Sequence, residues 1–304
     1  MSFRNQLKNF RRGLARHSMF ATIALIKRAP YCVVKGIMLS FLSVAFLFTI
    51  KLKRVAKESL DIAFGQEKTS QEKKKILKDC FYHFGRGMIE MMYFMNHPHL
   101  IKENIIIENR ERLDEALRQG RGVVAVTGHF GNFPLMMLKL ALEGYKVHVI
   151  MRRTRDSEID EVLYDYRSRL GVGTIYTHPR KECVLESLKA LRNNEIVFIL
   201  LDQHFGSDGA VMVDFFGQKA ATAPGAVVFA ERAKCPIVPI FIRREKGDQS
   251  RIMIEPIFEL QNYEDHQAMV QKNVERLTAI IEKYIRQYPQ EWGWMHKRWK
   301  DKQS

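Results

Sequence analysis

The chain has 304 residues, 46% of them hydrophobic, enough for one large core with an attached segment rather than two equal domains. Its formal net charge is +15, yet twelve Lys or Arg residues and no Asp or Glu lie between Met1 and Lys57. That distribution excludes a uniformly basic nucleic-acid face and points to an anionic membrane surface, while four scattered cysteines without a CxxC pair argue against a zinc or disulfide framework.

In chain order, residues 37–50 form the only long uncharged apolar run. At ~1.5 Å per residue it reaches about 21 Å as a helix, short of the ~30 Å hydrocarbon core. Extension back to Tyr31 takes in Lys35, which can snorkel. We read an interfacial or shallowly inserted helix, with a single span and a buried core helix as alternatives. Basic residues on both sides of the run argue against a cleaved signal peptide. Residues 1–57 are therefore taken as a membrane-associating segment and residues 58–304 as the main domain. A helix from Val55 should stop at Gly65, and Thr69-Ser70 with Glu72 caps the next one. That helix places Ile76, Leu77, Cys80, Phe81, Phe84, Met88, Ile89 and Met92 on one face.

From about Ile105 strands alternate with helices. Strands are expected at 122–127, 146–151, 174–176, 196–201, 237–242 and 251–257. Helices are expected at 135–143, at 157–170 with Ser157 as cap, at 182–192, at 223–233 and at 265–288. The alternation predicts an α/β domain with a mainly parallel central sheet flanked by helices. Ligands of such sheets sit beyond the carboxyl ends of the strands. Two segments fall there: Gly128-His129-Phe130-Gly131-Asn132 and Asp202-Gln203-His204-Phe205-Gly206. Histidine exchanges protons near neutral pH, so His129 can take a proton from a hydroxyl attacking a carbonyl.

The run from Thr127 to Phe133 resembles the first motif of the bacterial lipid A biosynthesis (lauroyl/myristoyl) acyltransferases, within the glycerolipid and lysophospholipid acyltransferase superfamily. The resemblance continues in Leu201-Asp202-Gln203, in Phe215-Phe216-Gly217 with Thr222 and Gly225, and in Pro236-Ile237-Val238-Pro239. It ends in Tyr288-Pro289-Gln290-Glu291-Trp292-Gly293-Trp294-Met295-His296-Lys297-Arg298-Trp299-Lys300, which is similar to the family's tryptophan-rich terminus. The ordered set spans nearly the whole chain.

What the resemblance implies is an acyltransferase fold of the glycerolipid type at the cytoplasmic face of a bacterial inner membrane. Transfer would be direct, without cofactor or metal. The donor would be a thioester of acyl carrier protein or coenzyme A, and an acidic carrier suits the basic N-terminal portion. The acceptor would be a hydroxyl of a lipid A-type glycolipid, with His129 as general base. One departure stands out: the family's His is followed five positions on by an acid, and here that position is Pro134. Asp202 is the candidate substitute, with Glu143 a remote one. The alternatives are an acyltransferase for another lysolipid or glycolipid, and a non-catalytic lipid-binding homologue.

Substrate contacts are expected from backbone N–H groups near Gly131 and Asn132, as oxyanion donors. Arg152, Arg153 and Arg155 after the strand ending at Met151, and Arg167 and Arg169 on the next helix, are candidates for phosphate. An apolar wall of Phe215, Phe216 and Gly217, with Thr222 nearby, is expected close to the reacting centre. Trp292 should lie in the core and Trp299 at the surface. No HExxH pattern or acidic cluster calls for a metal, and no GxSxG elbow calls for a serine nucleophile.

Overall fold

The computed structural model of the chain describes residues 28–300 apart from Arg155 and Ser207, with four single positions before them. The first 27 residues apart from those four positions, and Arg155, lie outside the described residues. Helix α1 (Tyr31–Phe48) leads into α2 (Ile50–Phe64), which stops at Gly65 with φ +44°. Helix α3 (Ser70–Asn96) starts from the expected capping box, in which the Thr69 hydroxyl accepts the Glu72 N–H and Glu72 accepts from the Thr69 backbone. Then come α4 (Pro98–Asn104), β1 (Ile105–Glu108), α5 (Arg110–Arg118), β2 (Val123–Thr127), α6 (Phe133–Leu142), β3 (Val147–Met151), α7 (Ser157–Arg169) and β4 (Val172–Tyr176). The chain continues through α8 (Arg180–Arg192), β5 (Ile196–Leu200), β6 (Val211–Phe215), β7 (Gln218–Thr222), α9 (Gly225–Ala233), β8 (Ile237–Arg244), β9 (Ser250–Ile254) and α10 (His266–Gln287).

Seven strands form one sheet in the order β1-β9-β8-β2-β5-β3-β4, parallel except for the β8–β9 pair. Strand β2 is buried on both faces: Val123 and Ala125 point into one layer, Val124 and Val126 into the other. The first layer holds α1, α4, α5, α6 and the C-terminal half of α3; the second holds α2, α8, α9 and α10. The division at residue 57 falls inside α2, whose Val55, Ala56, Ser59 and Leu60 are all buried.

Helix α1 lies antiparallel along α3. Tyr31 meets Tyr93 and Phe94 at ring distances of 5.0 and 5.4 Å, and Phe46 meets Phe81 at 5.0 Å. Between these ends a Cβ on Gly85 would come within 2.6 Å of both Leu42 methyl groups, so the glycine permits the close approach. The opposite stripe of α1 is bare, from Val33 at 47% exposure through Ile37, Phe41 and Val44 to Phe48 at 78%.

Two expectations are corrected and one unexpected element is added. Asp156, not Ser157, caps α7, its carboxylate accepting the Ile159 N–H. The β6–β7 hairpin, absent from the sequence reading, turns through Phe216 and Gly217 at φ +57° and +66°, the left-handed pair that a two-residue hairpin turn requires. Trp299 is buried together with Trp292 and Trp294. Each ring removes about 150–250 Å² from water, a gross gain of roughly 4–6 kcal/mol, which holds residues 288–299 as a strap across the second layer.

A charged cluster joins the layers. Arg244 grips buried Glu90 through two hydrogen bonds of 2.6 and 2.5 Å, and Arg86 donates to Glu90 at 2.9 Å. Arg86 and Lys35 both pair with Asp248 in the β8–β9 turn. The Arg244 N–H donates to Glu291 of the strap.

Candidate active site

Strands β2 and β5 are parallel neighbours with Thr127 opposite Leu200, and Leu201 donates its N–H to the Thr127 carbonyl at 3.1 Å. The residues immediately beyond are therefore side by side. One Asp202 oxygen accepts the His129 backbone N–H at 2.8 Å, and the other meets His129 Nδ1 at 2.9 Å. Asp202 is buried, while the His129 side chain is 31% exposed. Burial alone would raise the Asp202 carboxyl, but the His129 charge and the bonds donated by His129 and Trp292 bring it down to about 2. An ionised Asp202 can only accept, so it fixes the proton on Nδ1 and leaves Nε2 with its lone pair. Phe133 holds the ring from the side, edge-to-face at 5.1 Å.

The local glycines have steric reasons. A Cβ on Gly131 (φ +59°) would lie 2.0 Å from the Ile242 carbonyl oxygen. A Cβ on Gly128 would press on Asp202 and Ile281 at 3.2 Å. Gly131 is not an available oxyanion donor, however, because its N–H is already bonded to the Glu291 carbonyl at 2.8 Å. Asn132 is buried, and its side-chain amide donates to the Gly87 carbonyl of α3 at 2.9 Å.

Pro134 sits in the first turn of α6, where a missing N–H costs nothing. Glu143 lies at the far end of that helix, bonded to Lys139 at 2.7 Å and to Arg110 at 3.0 Å, and is no part of the site. Arg152 and Arg153 are exposed just beyond β3, with Arg153 stacked 4.0 Å over the Tyr176 ring. Strand β5 separates β3 from β2, so this ledge stands about 10 Å from His129 at two strand spacings. Arg167 is half-buried and donates to Thr174 Oγ1 at 3.2 Å. Its Nη2 is buried without a hydrogen-bond partner among the described residues.

The apolar wall is not formed as expected. Phe215 and Phe216 are buried in the aromatic cluster, Phe215 lying 5.8 Å from the Trp292 ring. Gly217 is the hairpin turn, and Thr222 accepts a hydrogen bond from buried Arg298 at 2.5 Å. These residues pack behind the site instead of facing it. Sequence reasoning missed Trp292, whose Nε1–H donates to Asp202 at 2.7 Å. No local pattern links positions ninety residues apart; only the tryptophan-rich terminus marked the region.

Residues 1–301 match the family described as bacterial lipid A biosynthesis acyltransferase. The chain belongs to that family. It is an acyltransferase, and among proteins of known name it is 24% identical over 258 residues to the lipid A biosynthesis palmitoleoyltransferase of Escherichia coli, covering 83% of this chain and 80% of that one. It is 25% identical over 285 residues to the Escherichia coli lipid A biosynthesis lauroyltransferase, covering 91% and 88%. A phosphatidylinositol mannoside acyltransferase of Mycobacterium tuberculosis is 26% identical over 147 residues, 48% of this chain and 46% of that one. The solved 1-acyl-sn-glycerophosphate acyltransferase of Thermotoga maritima superposes with a TM-score of 0.36 at 13% identity, covering 76% of this chain and 95% of that one. In this family member the His129 imidazole is bonded to Asp202, just beyond the neighbouring strand, while the position five after His129 lies in the first turn of a helix.

Proposed function

We propose that this acyltransferase moves a fatty acyl group from a thioester of acyl carrier protein or coenzyme A to a hydroxyl of a lipid A-type glycolipid precursor, with His129 as general base. The observation that carries this reading is the His129–Asp202 pair, with its imidazole open to solvent at the ends of two parallel strands. Nε2 takes the proton of the acceptor hydroxyl as its oxygen attacks the thioester carbonyl. The tetrahedral intermediate collapses with cleavage of the C–S bond, and the imidazolium returns its proton to the departing thiolate. With Gly131 engaged, the first turn of α6 beside His129 supplies the positive backbone end for the oxyanion, although Pro134 adds no donor there. Arg152, Arg153 and the Nη2 of Arg167, which has no partner among the described residues, suit phosphate groups of donor or acceptor.

Residues 1–57 are the proposed membrane-associating part and residues 58–304 the acyltransferase part, at the cytoplasmic face of the inner membrane. The α1 helix has the length and hydropathy to cross a bilayer, but α3 accompanies it from end to end. A monotopic placement, with the bare stripe of α1 dipped into the headgroup boundary, fits that packing. The Mycobacterium tuberculosis relative favours one second reading, the same chemistry on another glycolipid.

The test is transfer of a radiolabelled acyl thioester into membrane lipid by wild type and His129→Ala. Loss of product by ~10³-fold is expected. Unchanged product, or lipid binding without turnover in the wild type, would refute the base assignment or the activity respectively.

A further inference from the structure

Residues 288–299 touch both segments that build the site. Glu291 accepts the Gly131 N–H through its carbonyl, and Phe130 and Trp292 form an antiparallel bridge. On the other segment, Arg298 donates to the Gln203 carbonyl at 2.9 Å, and His296 Nε2 accepts the His204 N–H at 3.2 Å. Between them the Trp292 indole N–H reaches the Asp202 oxygen that also accepts the His129 backbone. Cys80 Sγ, 3.0 Å from the Trp292 carbonyl, and Phe215 against the ring fix the indole in turn.

We infer that Trp292 is a positioning residue for acyl transfer: its indole N–H locks the Asp202 carboxylate in the one orientation that keeps the His129 proton on Nδ1. The inference rests on the proposed role of His129 as base. Three donors converge on Asp202, two of them from His129 itself. Those two move with the histidine segment, so they cannot hold the acid against a shift of that segment. The indole comes from a different element, which makes it the external reference for the pair.

The experiment is a double-mutant cycle on the full chain in lipid vesicles, using a radiolabelled lauroyl thioester of acyl carrier protein and a bacterial lipid A-precursor extract. Trp292→Phe removes the donor and keeps an aromatic ring. A hydrogen bond to a charged group corresponds to a roughly 10-fold or larger change, so kcat should fall about 10-fold. In an Asp202→Ala background the same substitution should cost less than ~2-fold, because its target is gone. A full 10-fold loss in both backgrounds would mean that Trp292 only supports the fold, and the inference would be overturned. Should neither His129→Ala nor Asp202→Ala reduce transfer, the base assignment itself fails, a separate outcome. Incorporating 3-benzothienylalanine at Trp292 covers poor folding of the Phe variant, because it keeps the bicyclic shape and replaces N–H by sulfur. Nitrogen NMR of labelled histidine gives an independent readout: a single Nδ1–H tautomer for His129 in the wild type and a tautomer mixture in either variant. An unchanged tautomer in both variants would also overturn the inference.

Discussion

Asp202 and Glu90 are equally buried, at 1% and 2% exposure, but the chain surrounds them with different donors. Glu90 is held by the guanidinium groups of Arg244 and Arg86, two permanent cations. Among the described residues, the hydrogen bonds to Asp202 come from uncharged N–H groups or from the imidazole; Arg298 lies close enough to feel its charge yet donates to Gln203, Ala221 and Thr222. The contrast fits the roles proposed for the two acids. Glu90 ties α3 to β8 and benefits from full neutralisation. With His129 as the proposed base, Asp202 must leave room for a positive charge to appear on the imidazole, and an arginine bonded to it would oppose that charge.

The largest effect should come from stripping the structural cluster. Glu90→Ala leaves Arg244 buried without its acid and should cost about 3–5 kcal/mol of stability, measured by denaturant unfolding. Asp202→Asn should instead fold normally and lose ~10²-fold in turnover, since the amide no longer enforces the Nδ1 proton. Wild-type unfolding with normal activity for Glu90→Ala, or global destabilisation for Asp202→Asn, would break the distinction.

A smaller effect is expected from Glu291, whose carboxyl burial pushes up to about 7. Because its folded value exceeds the ordinary 4.5, its contribution is fully present below pH 4.5 and is lost as pH rises through about 7. Stability of the wild type should therefore carry a downward slope of order 1 kcal/mol per pH unit across that window, and Glu291→Gln should flatten it. Asp202 has the opposite sign: its contribution is present above the ordinary 3.8 and is lost as pH falls through about 2. The smallest expected effect is that of Pro134→Glu, with turnover within ~2-fold of wild type, because Asp202 already occupies the acid's place against the ring. A marked rise in rate would show that Asp202 does not serve as that acid.

The parallel sheet was legible because uninterrupted apolar strands such as 123–127 and 196–200 leave little choice about burial on both faces. His129 and Asp202 were legible for the same reason, as each is the first chemically capable residue beyond such a strand. The hairpin was not. Its second strand, Gln218–Thr222, has almost no strand-forming side chains, and its turn places Phe216 in a conformation that the sequence signals only through Gly217. Trp299 was misread because its neighbours Lys297, Arg298 and Lys300 look like a solvated tail, whereas acceptors on Gln203, Ala221 and Thr222 let the Arg298 guanidinium be buried with it. The engagement of Gly131 by Glu291 is likewise a contact between distant segments with no local signature.

Because the separation of His129 and Asp202 is set by the register of β2 on β5, the sheet acts as a ruler for the reacting groups. The chain beyond His204, up to β6 at Val211, can be lengthened or rewritten without changing that measure. On the proposed mechanism, grafting that loop between family members should therefore leave the His129–Asp202 spacing, and with it the proton transfer, intact.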